Sequence, residues 1–345
     1  MARVAFVMEQ TLGSITHYLN LRRAESEAPA GFSARWIPVE YRAGLLPWSV
    51  SGSAAARRAI GEAFPEVDAL FVHTTTIALL SGGYFGRKPS ILSTDATPLN
   101  KEDMRREYGL KAHTGLAARA KRAVHRSIYR RASGFVAWSE WAKASLCDDY
   151  GCRPDDVAVV PPGIDLSLFR PGERGRGLPR FLFVGGDFAR KGGDLLLRVH
   201  RERLRGKAEL DLVTTAPVEP EPGVRVHRGL RANSPELLRL YAECDAFVLP
   251  TRADCLPLVC LESLAAGLPL IATKVGGIPD CVREGETGHL VDPDDANALG
   301  DVLEALAADS ARRERMSSAA RAEAERRFDA RKTARDLFEF VASRT

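Results

Sequence analysis

The chain has 345 residues, 45% hydrophobic and 27% charged, enough apolar material for a large core and, at about 150 residues per domain, for two domains. Its net charge of +4 suits an anionic ligand but falls short of the dense basic stripe of a nucleic-acid binder, so no nucleic-acid partner is expected. The cysteines, at 147, 152, 244, 255, 260 and 281, form no C-x-x-C pair and none stands beside a histidine at zinc-finger spacing, so no metal site is expected and the thiols are read as reduced.

The amino terminus, MARVAFVMEQ, has one basic residue and an apolar run too short for a signal peptide. No apolar stretch approaches the roughly 20 residues of a membrane helix, and a soluble, cytoplasmic protein is expected. Short aliphatic runs then alternate with segments of helical period: RVAFVM before HYLNLRRA, ALFVHT before IALL, PSILST before a basic segment, GFVAWS before WAKASLCDDY. Unbroken apolar strands alternating with amphipathic helices predict parallel sheets covered on both faces. After a stretch rich in Pro, Gly and Arg the pattern restarts with FLFVGG and DLLLRVH, then LDLVTT, VRVHRG, AFVLPT, PLIAT and GHLVD. The predicted fold is α/β, two Rossmann-like doubly wound domains joined near residues 161 to 180. Ligands of such sheets bind beyond the carboxyl ends of the strands.

Two stretches carry the chemistry. FVGGDFARKGGDLLL, residues 183 to 197, reads as strand, glycine turn and helix: Gly185 and Gly186 admit a ligand close to the backbone, and Arg190 and Lys191 place two cations at the expected helix start. It is neither G-x-G-x-x-G nor a Walker loop, which argues against hydride transfer and NTP hydrolysis. RADCLPLVCLESLAAGLPLIAT, residues 252 to 273, predicts a helix from Pro257 to Gly267, with Asp254 in the loop before it, Glu262 on it, and the amides of Leu258 and Val259 free for an anionic oxygen. An ionised carboxylate only accepts hydrogen bonds, so Asp254 and Glu262 suit hydroxyls, whereas the glycines, cations and amides suit phosphate. Hydroxyls at both ends with phosphate between them describe a nucleotide sugar.

The carboxyl-terminal half resembles the family 4 retaining glycosyltransferases, nucleotide-sugar enzymes of the GT-B fold. Their glutamate, seven residues, glutamate pattern is matched by Asp254 and Glu262, their Gly-x-x-x-x-x-Lys-Gly turn by GGDFARKG, and their interdomain linker by VVPPGIDLSLFRP. The resemblance implies an amino-terminal acceptor-side domain over 1–165, a donor domain over 166–328, and a last helix, 329–345, that crosses back to the first domain. It implies retention of anomeric configuration with no metal or other cofactor. Glu262 would bind the ribose hydroxyls, Asp254 would lie by the donor sugar near its anomeric centre, and Arg190 and Lys191 would neutralise the diphosphate. Asp254 stands where the family has glutamate, and Gly186 where it has arginine, a charge that Arg190 would take over.

In the amino-terminal half, TLGSITHYLNL resembles the family's glycine loop, with its glycine pair reduced to Leu12 and Gly13. Gly13 would bring its amide to the leaving phosphate, and His17 is read mainly as a capping or packing residue. Asp95, in ILSTDATPLN, occupies a segment where many relatives carry histidine. It either orients the donor sugar or acceptor hydroxyl or serves as a turn cap, and His73 and His113 are further cleft candidates. Residues 101 to 131 hold ten Lys or Arg against three Asp or Glu, with Leu116, Ala120, Val124 and Ile128 every four positions. Either this helix packs Leu116, Val124 and Ile128 on the sheet, or its apolar face enters the inner membrane surface, which would suit a lipid-linked acceptor. The expected activity is glycosyl transfer to an acceptor hydroxyl in glycan or glycoconjugate biosynthesis. Its rivals are a GT-B sugar-nucleotide epimerase and a noncatalytic nucleotide-sugar binding protein.

Overall fold

The computed structural model describes residues 1–11, 13–28, 30–40, 48–109, 115–175 and 177–345, with backbone alone for Trp48, Asp103 and 115–118. The chain divides into two compact units, the first made of Met1–Arg106, Leu110–Gly163 and Ala330–Thr345, the second of Glu107–Gly109 and Ile164–Asp329.

The first unit is built on six parallel strands: β1 (Arg3–Glu9), β2 (Ser33–Val39), β3 (Ala69–His73), β4 (Ser90–Thr94), β5 (Gly134–Ala137) and β6 (Val157–Val159), in the order β2-β1-β3-β4-β5-β6. β3, β4 and β5 are buried along their whole length, as their unbroken runs of apolar and small residues require when helices cover both faces. The sequence reading missed β2, SARWIPV. It is a half-exposed edge strand that carries Arg35 and, opposite Met8, Pro38, a residue tolerated at an edge because its missing N–H breaks no ladder on the open side.

The second unit is also a six-stranded sheet, made of β7 (Arg180–Val184), β8 (Glu209–Val213), β9 (Val224–His227), β10 (Ala246–Leu249), β11 (Leu270–Thr273) and β12 (Gly288–Val291), all parallel, in the order β12-β11-β10-β7-β8-β9. Its strand order reverses between β7 and β10, and that of the first sheet between β1 and β3. The loops leaving these strands are where an open α/β sheet receives its ligand. Gly13 follows β1, the turn carrying Gly185 to Lys191 follows β7, and Asp254 follows β10.

The terminal helix Ala330–Ala342 belongs to the first unit, where it buries Thr333, Ala334, Leu337, Phe338 and Val341. Phe338 meets Phe6 and Phe32 edge-on, with ring centroids 6.0 and 5.7 Å apart. Truncating a buried phenylalanine removes its transfer energy and leaves a cavity. Phe338→Ala should therefore destabilise the first unit by about 3–5 kcal/mol in urea melts, and a change within error would show that the helix is not part of this core.

Candidate functional site

At the carboxyl end of β7 the chain enters a turn that delays the next helix until Gly193–Val199. Arg190 and Lys191 lie in this turn rather than at the helix start, a correction whose cause is Gly192. Gly192 adopts φ 76°, and a Cβ there would fall 1.9 Å from the Pro250 carbonyl oxygen, so the chain passes hard against the end of β10 before it becomes helical. Gly185 is buried under the Lys191 stem, whose Cγ would lie 3.0 Å from an added Cβ, whereas Gly186 is exposed and an added Cβ there would make only an ordinary contact, 3.9 Å from Thr215 Oγ1.

Asp254 is 7% exposed. Lys191 Nζ stands 2.9 Å from both carboxylate oxygens, Arg190 Nη1 stands 3.3 Å from Oδ1, and Thr251 Oγ1 donates to Oδ2 at 2.8 Å. Arg190 also donates to Asp187 at 2.9 Å and to the Ala253 carbonyl, and the Tyr108 ring, which folds with this unit, lies 4.5 Å from its guanidinium carbon. The candidate residues on the two stretches thus meet in one ion-pair cluster.

The helix carrying Glu262 runs Leu258–Ala265, with Pro257 as its N-cap rather than its first residue. Leu258 and Val259 are therefore its first two positions, whose amides have no carbonyl four residues back inside the helix. Glu262 is half-buried on an otherwise apolar helix, and the Tyr241 hydroxyl donates to its Oε2 at 3.0 Å. Burial pushes the carboxyl up to about 7 against the opposing pull of the tyrosine hydrogen bond. Sequence reasoning missed Thr251, Tyr241 and Gly192. The Gly192–Gly193 pair was visible as a signal and Thr251 stands only three residues before Asp254, whereas Tyr241 reaches Glu262 from 21 residues away through a pairing only the fold creates.

In the first unit Gly13 opens the helix Gly13–Glu27. His17 and His73 are buried, and their rings form a triangle with Trp138, with centroids 5.1 to 5.2 Å apart. Burial holds His17 well below the usual histidine range and His73 at about 3, so both imidazoles are neutral at physiological pH. Asp95 directly follows β4, with its Oδ1 3.2 Å from Lys101 Nζ. It is not the local cap: the Thr97 side chain and Asn100 form a capping box on the helix Pro98–Asp103, and Thr94 Oγ1 bonds the Ala96 backbone. Leu12, His113 and the side chain of Leu116 lie outside the described residues. Of the proposed packing face of the helix Gly115–Tyr129, Ile128 is buried but Val124 is 43% exposed, and Arg122 and Arg126 donate to the Asp149 carbonyl. No helix among the described residues is long and apolar enough to cross a membrane.

The turn supplies a direct comparison between two glycines. Gly192→Ala forces both a strained φ and a backbone clash and should cost at least about 2 kcal/mol in urea unfolding. Gly186→Ala makes only an ordinary contact with Thr215 and should stay within about 0.5 kcal/mol of wild type. Equal effects would contradict this description of the turn.

Comparison with known proteins agrees with this architecture. Residues 19–168 match the model of glycosyltransferase family 4, and residues 178–309 that of the glycosyl transferases group 1. D-inositol 3-phosphate glycosyltransferase 1 of Catenulispora acidiphila is 31% identical over 232 residues, 59% of this chain and 56% of that protein. The D-inositol 3-phosphate glycosyltransferase of Thermomonospora curvata is 34% identical over 210 residues, 51% of this chain and 49% of that protein. The chain thus matches about half the length of these curated relatives. Among solved structures, sucrose-phosphate synthase from Thermosynechococcus elongatus superposes with a TM-score of 0.76 at 18% identity over 99% of both chains. HepE of Anabaena in complex with UDP does so with a TM-score of 0.74 at 16% identity, over 99% of this chain and 100% of that one. These likenesses show the GT-B fold. With one family model on each unit, the chain belongs to the family 4, group 1 glycosyltransferases.

Proposed function

We propose that the protein is a retaining glycosyltransferase that moves a sugar from a nucleoside-diphosphate sugar to an acceptor hydroxyl. The observation that carries this reading is the arrangement around the β7–β10 switch point, where Arg190 and Lys191 lie in the glycine turn and Glu262 stands one helical turn into Leu258–Ala265. In this reading Glu262 accepts the ribose hydroxyls. Gly185, Gly186 and the amides of Leu258 and Val259 line the diphosphate path. Arg190 and Lys191 stabilise charge as it develops on the leaving phosphate, the kind of preorganised electrostatics that is usually the largest catalytic term. No resident metal or cofactor enters the proposal, because the two cations supply the positive charge.

Asp95 orients a hydroxyl of the donor sugar or the acceptor. The family membership and the name of the curated relatives, glycosyltransferases, support the activity, and the UDP bound by HepE supports the donor class. All six thiols are free, as suits the cytoplasm. The exposed Val124 among the arginines of Gly115–Tyr129 favours a peripheral contact with anionic membrane as a second property of the first unit.

The test is nucleotide binding by calorimetry with UDP, GDP, ADP and TDP. One of them should bind, and Glu262→Ala should weaken it by about tenfold or more, the loss of hydrogen bonds to a charged acceptor. The pH dependence has a definite sign. Below about 7 the Glu262 carboxyl is protonated, and ribose hydroxyls that donate to it favour the ionised form, so binding releases a proton near neutrality. Affinity should rise as pH rises through 7 and flatten above it, and a pH-independent affinity would remove Glu262 from the ribose. Incubation with the sugar donor alone separates the rivals: an epimerase alters the sugar, a binding protein leaves it intact, and a transferase gives at most slow hydrolysis.

A further inference from the structure

The Asp254 carboxylate is held on every side. Its Oδ1 takes Arg190 at 3.3 Å and Lys191 at 2.9 Å, and its Oδ2 takes Thr251 at 2.8 Å and Lys191 at 2.9 Å. An ionised carboxylate has about four lone-pair sites, so these contacts nearly exhaust it. The backbone beneath is equally fixed. Gly276, at φ 57°, passes so close that an added Cβ would lie 2.1 Å from the Asp254 carbonyl oxygen, and the Gly277 amide donates to Cys255 at 2.6 Å. On the other side the Arg252 amide donates to the Arg190 carbonyl at 2.8 Å. A short side chain on a clamped backbone does not swing out to meet a sugar while its oxygens are occupied.

The cations are in the opposite position. Lys191 has three N–H donors at the end of a flexible stem, and among the described residues it meets the Asp254 carboxylate. An arriving diphosphate offers these cations more negative charge than one carboxylate does. We infer that Asp254 is a positioning residue, a resident counter-ion that holds Arg190 and Lys191 at the end of β10 until the diphosphate takes them over, and receives them back when the nucleoside diphosphate leaves. This rests on the reading that Arg190 and Lys191 meet the diphosphate, and it replaces the direct sugar contact that the family resemblance implies for Asp254.

The resident anion competes with the ligand, which gives the inference an unusual signature. Asp254→Asn removes the competitor and keeps the shape, so inorganic pyrophosphate, titrated by calorimetry at low salt, should bind about tenfold tighter than to wild type. The kcat for transfer should fall, because the cations lose the anchor that places them, while Asp254→Glu should keep pyrophosphate affinity within about twofold of wild type by retaining the charge. If Asp254→Asn does not fold, Asp254→Asn/Lys191→Gln, with the same net charge as wild type at the cluster, takes its place. Compared with Lys191→Gln it should bind pyrophosphate severalfold tighter through Arg190.

Unchanged pyrophosphate affinity together with weaker binding of the nucleotide sugar would restore the sugar contact and overturn the inference. Weaker pyrophosphate binding together with a lower melting temperature would make Asp254 a purely structural ion-pair partner and overturn it as well. If wild type and variants all fail to bind pyrophosphate and every nucleoside diphosphate, the donor-site reading itself fails and the inference with it. Binding of a nucleoside diphosphate that depends on Glu262 but not on the charge at 254 would overturn the inference alone.

Discussion

A carboxylate removed from water at the end of a buried sheet has to be met by positive charge and hydrogen-bond donors, and much of the second unit's switch point is arranged around meeting this need for Asp254. The turn after β7 must bring Arg190 and Lys191 to the end of β10, which requires the left-handed Gly192 against Pro250 and a bare Gly185 under the lysine stem. Thr251 supplies the remaining donor from the strand end itself. The cations that would answer a diphosphate are therefore already paid for by the fold, in place and partly desolvated before any ligand arrives.

Both units are six-stranded parallel sheets, but two strands lie outside the first strand of the second unit (β9-β8-β7) where one lies outside that of the first (β2-β1), and the chemistry at their switch points differs. Beyond β7 and β10 the second unit gathers two cations and two carboxylates. Beyond β1, β3 and β5 the first unit gathers His17, His73 and Trp138, a neutral group of rings whose burial opposes protonation. The ionic edge suits phosphate and ribose. The neutral edge suits uncharged surroundings, with Asp95 and Lys101 as the paired charges near the end of β4.

Much of this was legible in the sequence where one physical cause dominates. Strands buried on both faces announce themselves as unbroken apolar runs, as β7, β10 and β11 do, while β9, VRVH, was legible at the edge from its alternating valines. β2 was not, because an edge strand need not be apolar throughout and its Arg35 and Pro38 disguise it. The acidic pair was legible as types and spacing. Its pairing was not, since Tyr241 lies 21 residues from Glu262, across the helices either side of β10, and Lys191 lies 63 residues from Asp254, joined only by the parallel neighbours β7 and β10. Of the two roles open to Asp95, the turn cap falls to Thr97, directly before Pro98, which leaves Asp95 to Lys101.

The most direct measurement is a crystal structure of the protein with the nucleoside diphosphate that binds it most tightly. The ribose hydroxyls should lie within hydrogen-bond distance of Glu262, and the diphosphate should lie on Arg190 and Lys191 at the end of β7. A nucleotide bound elsewhere, or a ribose turned away from Glu262, would contradict the assignment of this switch point as the donor site.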